Sequence, residues 1–85
     1  MKMKTITMLF AQFEKPTVRL DEISREYFGL APNQAKRLAA TGELPVPAFR
    51  LGAAKSPWLI HLDDLATYLD KQRQQAKKDH QNLSA

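Results

Sequence analysis

Three residues, Gly29, Pro32 and Gly42, constrain the path of this chain more than any others. Glycine reaches positive φ without a Cβ penalty, so Gly29 is a natural stop for a preceding helix. Proline presets a helical φ and lacks an N–H, so Pro32 suits the first position of a new helix, where that donor would lack a partner anyway. Gly42 closes the new helix, and the spacing predicts Pro32 to Thr41 as one helix of about three turns at 3.6 residues per turn. Asp21 is placed to cap the helix before the break, which runs to about Phe28 and buries Ile23, Tyr27 and Phe28. Two short helices joined by a tight glycine-containing turn, here over residues 21–41, are the sequence form of a helix-turn-helix.

The flanks add a helix on each side and a β segment. Ile6, Leu9, Phe10 and Phe13 recur at helical spacing, which predicts a leading helix over 5–14 that stops before Pro16. Thr17 to Leu20 is a short β-prone piece. Leu44-Pro45-Val46-Pro47 cannot continue a helix and reads as an extended connector. Ala48–Leu51 and Trp58–Leu62 then flank the loop Gly52 to Pro57, which predicts a hairpin over 48–62. In that hairpin Phe49, Leu51 and Ile60 can face the core and Arg50 lies on the opposite face of its strand; Trp58 is read as core, with stacking on a base or sugar as the alternative. Asp63 caps a last helix over 63–78 whose buried stripe is Leu62, Leu65, Ala66 and Leu69, and residues 79–85 read as a flexible polar tail. The expected fold is therefore mainly α with a small β-hairpin: a winged helix-turn-helix of four helices plus a wing, in one domain over 1–78.

Composition narrows the function classes. The chain has 85 residues, 44% hydrophobic and 26% charged, which fits one globular domain with a thin core. It has no cysteine, so disulfides, Cys-ligated zinc and thiol catalysis are excluded, and a reducing cytoplasm is the simplest setting. His61 and His80 have no cysteine between them and no second ligand at metal spacing, and Asp63 with Asp64 is explained by a helix start. The glycines are scattered rather than gathered into a phosphate loop. Neither a metal nor a cofactor is expected, and the reading is not an enzyme. Ile6 to Ala11 is too short an apolar run to span a bilayer, so no membrane association is expected.

Charge is concentrated in the middle. Residues 1–31 carry five basic and four acidic side chains, residues 32–55 four and one, and residues 56–85 four and four, so three of the four net positive charges fall in the central segment. Such a concentration marks a surface for a polyanion, because neutralised phosphates release condensed counterions. Rotating the third helix by 100° per residue puts Ala35, Leu38, Ala39 and Gly42 on one small, apolar side. Asn33, Arg37, Ala40 and Thr41 fall on the other, flanked by Lys36 and Gln34. Asn and Gln can read adenine and Arg guanine, while Lys holds phosphate. Arg50 and Lys55 put two more cations on the wing, suited to backbone or minor-groove contact. The candidate DNA-binding residues are thus Asn33, Gln34, Lys36, Arg37, Thr41, Arg50 and Lys55.

Four stretches carry a family resemblance: Glu26-Tyr27-Phe28-Gly29-Leu30, Gly42-Glu43-Leu44-Pro45-Val46-Pro47, Phe49-Arg50 and His61-Leu62-Asp63-Asp64-Leu65-Ala66. In this order they resemble the pyocin activator protein family of phage- and prophage-linked regulators, over about residues 5 to 75. More loosely, the chain is similar to phage excisionases and other MerR-type winged-helix proteins. The resemblance implies binding to double-stranded DNA and activation of a bacteriocin or prophage operon; RNA polymerase is a candidate further partner that the sequence itself does not decide. Read as an excisionase, the same surface bends attachment-site DNA beside an integrase. Read as an antirepressor, the basic patch meets an acidic protein. One departure is Ala31, which stands before Pro32 where Ser or Thr usually caps the helix.

A single small DNA-binding module covers about 600–1,000 Å², so a homodimer or cooperative oligomer is expected. The last helix offers a seam only to Leu69, because Gln72 and Asp79 would bury polar groups. The leading helix, with Met3, Ile6, Met8, Leu9, Phe10 and Phe13, is the richer candidate surface.

Overall fold

A computed structural model describes residues 4–53 and 55–84. Met3 and Ala54, read above as part of the leading helix and of the wing loop, lie outside the described residues. The element order is α1 (Thr5–Phe13), β1 (Thr17–Arg19), α2 (Leu20–Ile23) running into a π-helical turn (Ser24–Phe28), α3 (Pro32–Thr41), β2 (Leu59–His61) and α4 (Leu62–Ser84). The fold is mainly helical with a small antiparallel sheet, in keeping with a small winged-helix-like architecture.

The break between α2 and α3 follows from its punctuation. Gly29 sits at φ 66°, its N–H donating to the Arg25 carbonyl at 3.2 Å and that of Leu30 to Ser24 at 3.1 Å. Gly42, at φ 74°, closes α3 in the same way, with the Glu43 N–H donating to the Leu38 carbonyl at 2.8 Å. Both ends satisfy carbonyls that the last helical turn leaves open, and a left-handed residue is required to do it. Ala31 occupies the N-cap of α3 with extended backbone and no side-chain cap bond.

The core is small and continuous. Leu20, Ile60, Leu62 and Leu65 are each at most 1% exposed, and burying each is worth about 1.5–3 kcal/mol relative to exposure. These four side chains tie α2, β2 and α4 together, with Val18, Ile23 and Ala35 in the same cluster. Ala35 is fully buried, so α3 rests its small-residue side on α2 and turns the rest of its surface outward. Leu9 joins the core from α1, with Ile6 and Phe13 partly buried against it, while Thr5 Oγ1 donates to Asp70 Oδ1 at 2.6 Å and pins α1 to α4.

Several expectations are corrected. Strand β2 pairs chiefly with β1, in the register Thr17↔His61, Val18↔Ile60 and Arg19↔Leu59, and the expected 48–62 hairpin reduces to the single bridge Phe49↔Leu59. Pro47 ahead of this segment and Gly52, at φ 94°, behind it leave room for little more, whereas the β-branched Thr17 and Val18 suit a full partner strand. Leu51 is 67% exposed rather than core, because the bridge ends before it. Phe10 also faces solvent, 55% exposed, although the helical spacing had set it with Leu9. Helix α1 stops at Phe13, with Glu14 left-handed at φ 60°.

Neither aspartate is an N-cap. Helix α2 starts at Leu20, which puts Asp21 in its first turn. Helix α4 starts at Leu62, and the Asp63 N–H donates instead to His61 Nδ1 at 3.1 Å, a side-chain cap from the residue just ahead of the helix. Helix α4 also continues to Ser84 rather than ending near residue 78. No Gly or Pro interrupts it, and the Gln75–Asp79 bond at 3.0 Å supports its polar half.

Candidate nucleic-acid interface

The sheet and α3 lean together to form an open cleft of about 420 Å³. Its basic lining is Arg19 from β1, Lys36 and Arg37 from α3, and Arg50 and Lys55 from the segment between the connector and β2. Among the described residues Asp21 is the one acid in the lining, and Ser56, Pro57 and Trp58 complete it. Five cations against one carboxylate make this a strongly positive concavity, where low-dielectric walls focus the field.

Each side chain is delivered by a local cause. Burial of Ala35 fixes the rotation of α3 and leaves Lys36 and Arg37 exposed on its first two turns. The Phe49↔Leu59 bridge fixes the backbone beside Arg50, whose guanidinium carbon stands 4.2 Å from the centroid of the Trp58 ring. At that distance the ring face attracts the cation and limits its rotamers. Trp58 therefore combines the expected packing against the core with a second role as a platform for Arg50. Lys55 is carried by a turn in which the Ser56 N–H donates to the Ala53 carbonyl at 2.9 Å.

Arg19 and Asp21 form a two-point ion pair in the cleft. Arg19 Nε donates to Asp21 Oδ1 at 3.1 Å and Nη2 to Oδ2 at 2.8 Å, with Glu22 Oε1 4.0 Å away. The bond from Arg19 holds the Asp21 carboxyl below the usual carboxylate range; partial burial opposes this, and the charges of Arg19 and Lys36 add to it. Arg19 is in turn raised above its ordinary value, mainly by the same bond.

The cleft brings together four of the seven residues singled out from sequence: Lys36, Arg37, Arg50 and Lys55. Asn33, Gln34 and Thr41 are exposed on α3 but do not line it. The Thr41 hydroxyl donates toward its own helix, to the carbonyls of Leu38 at 3.2 Å and Arg37 at 3.4 Å. Sequence reasoning missed Arg19, which lies in a segment whose charges nearly cancel. The alternation of β1, with Val18 buried, would have turned Arg19 outward. Its meeting with α3 and the wing is tertiary.

The family model described as pyocin activator protein PrtN matches residues 5–76. The chain belongs to the pyocin activator protein family. The matched range takes in every cleft residue and all elements from α1 to the first two-thirds of α4. No curated protein and no solved structure matches the chain. Pyocin activators are regulatory proteins rather than a known enzyme family. Among the described residues no group of three His, Asp or Glu side chains is arranged to hold a metal, and no helix is long and apolar enough to cross a membrane.

Proposed function

We propose that this protein is a sequence-specific, duplex-DNA-binding transcriptional activator of pyocin-type genes. Helix α3 enters the major groove, and the segment carrying Arg50 and Lys55 lies along the adjacent backbone. The observation that carries this reading is the convergence of Arg19, Lys36, Arg37, Arg50 and Lys55 on one open cleft beside α3. Family membership supplies the regulatory context. In this arrangement Lys36, Arg50 and Lys55 neutralise phosphates. Asn33, Gln34, Arg37 and Thr41, on the exposed side of α3, meet base edges, where Asn or Gln pairs with adenine and Arg with guanine.

The test is a fluorescence-anisotropy titration of a promoter duplex at several salt concentrations. If about four to six phosphates are neutralised per protomer, log K falls with log salt with a slope of roughly −3.6 to −5.4, at about 0.9 per contact. A slope near zero, or no binding to any duplex, would overturn the reading and favour a module that meets an acidic protein.

A further inference from the structure

Arg19 is the one cation that β1 contributes to the cleft lining among the described residues. Its guanidinium meets Asp21 along one side: Nε reaches Oδ1 and Nη2 reaches Oδ2, at 3.1 and 2.8 Å. That pairing uses two of the five guanidinium N–H groups. Of the other three, one on Nη1 and the one on Nη2 form the end-on fork that takes an oxyanion bidentately. The Arg19 side chain is 47% exposed and that of Asp21 22%, so the fork is open to solvent while the carboxylate that fixes it is mostly covered. An exposed ion pair adds little to stability, which leaves orientation as the consequence of this geometry.

The geometry points to a phosphate clamp on the strand side of the cleft: we infer that Arg19 grips a DNA backbone phosphate and that Asp21 is the positioning residue that aims it. This rests on the duplex-binding reading above and adds a contact that α3 and the wing do not provide. It also accounts for an acid in a cleft for a polyanion. The Asp21 charge is compensated by Arg19, and it stays ionised at neutral pH because the Arg19 bond and the nearby Lys36 hold its carboxyl low.

The experiment is a binding cycle on a promoter duplex with wild type, Arg19→Gln, Asp21→Asn and the double variant, each checked by its melting curve. Losing one phosphate contact flattens the salt slope by about 0.9 and weakens binding roughly fivefold at about 0.15 M salt. Arg19→Gln is expected to do both, equally for preferred and unrelated sequences. Asp21→Asn removes a negative charge from the cleft, which by charge alone would tighten binding. If Asp21 aims Arg19, the substitution is less favourable to binding in the wild-type background than in Arg19→Gln by roughly three- to fivefold. An equal effect in both backgrounds would make Asp21 a plain repulsive charge, and an unchanged slope for Arg19→Gln would remove the clamp. Either result leaves the duplex reading standing if wild type still shows a steep slope. A wild-type slope near zero overturns that reading and the clamp together.

Discussion

Replacing Ala31 by Ser gives α3 the side-chain cap it lacks. Ala31 already has the extended backbone of an N-cap, φ −64° and ψ 148°, and its carbonyl accepts the Ala35 N–H at 2.9 Å. Pro32 has no N–H to satisfy, so a serine Oγ at position 31 has the N–H groups of Asn33 and Gln34 within its usual capping reach. Ala31 is exposed, so the added hydroxyl displaces nothing. Capping of this kind is worth about 0.5–2 kcal/mol. Each 1 kcal/mol moves the melting midpoint of a domain this size by roughly 4–8 °C. Thermal denaturation followed by circular dichroism at 222 nm is the assay, with Ala31→Val as a control that offers no acceptor. A rise for Ser and none for Val is the expected pattern. An unchanged or lower midpoint for Ala31→Ser would refute the reasoning, because it would mean that those N–H groups already have partners.

Three further outcomes follow from the same structure. Ser24 is fully buried in the π-helical turn, and its hydroxyl has no hydrogen-bond partner among the described residues. Ser24→Ala should therefore stabilise the fold by about 1 kcal/mol, the lower part of the cost of an unsatisfied buried polar group, and a drop in melting midpoint would show that the hydroxyl is bonded. Asn33→Ala should cost about 1–3 kcal/mol at the preferred site and relax base preference there, whereas Lys55→Ala should weaken all sequences alike; competition binding against single-base variants separates the two, and the reverse pattern would exchange reader and clamp. Met8 and Phe10 are 51% and 55% exposed on α1, so the double variant Met8→Lys with Phe10→Lys should fold yet lose dimerisation or cooperative binding in sedimentation with and without DNA. A wild type that is monomeric and binds singly removes that role for α1.

What the sequence made legible was the part governed by local chemistry. Gly29, Pro32 and Gly42 set the boundaries of α3 because positive φ and a missing N–H act on the residue itself. The stripe Leu62, Leu65, Ala66 and Leu69 was readable because helical periodicity is a local property, and these residues pack into the core as expected. The pairing of β1 with β2 was not readable, since it joins segments far apart in the chain, whereas the nearer Ala48–Leu51 run made a hairpin look sufficient. Asp21 and Asp63 carry the residue type of an N-cap, but each helix starts one residue before its aspartate. In α4 an imidazole takes the capping bond instead. Of the cleft, the cations on α3 and the wing were legible from charge concentration and helix rotation. Arg19 and its carboxylate partner became visible only when the sheet brought β1 beside α3.

The central claim, that the cleft beside α3 is the duplex-binding surface, is tested most directly by moving the same charge change to two places. One variant replaces Lys36, Arg37 and Lys55 by Gln, and the other replaces Arg73, Lys77 and Lys78 on α4; all six side chains are exposed, so both variants should fold. Affinity for a promoter duplex is then measured at one salt concentration. The account predicts that the cleft variant loses at least about a hundredfold, from two phosphate contacts at roughly fivefold each and the Arg37 base contact at about 1–3 kcal/mol, while the α4 variant stays within about threefold of wild type. Equal losses would reduce binding to net charge, and a larger loss from the α4 variant would place the DNA elsewhere on the molecule.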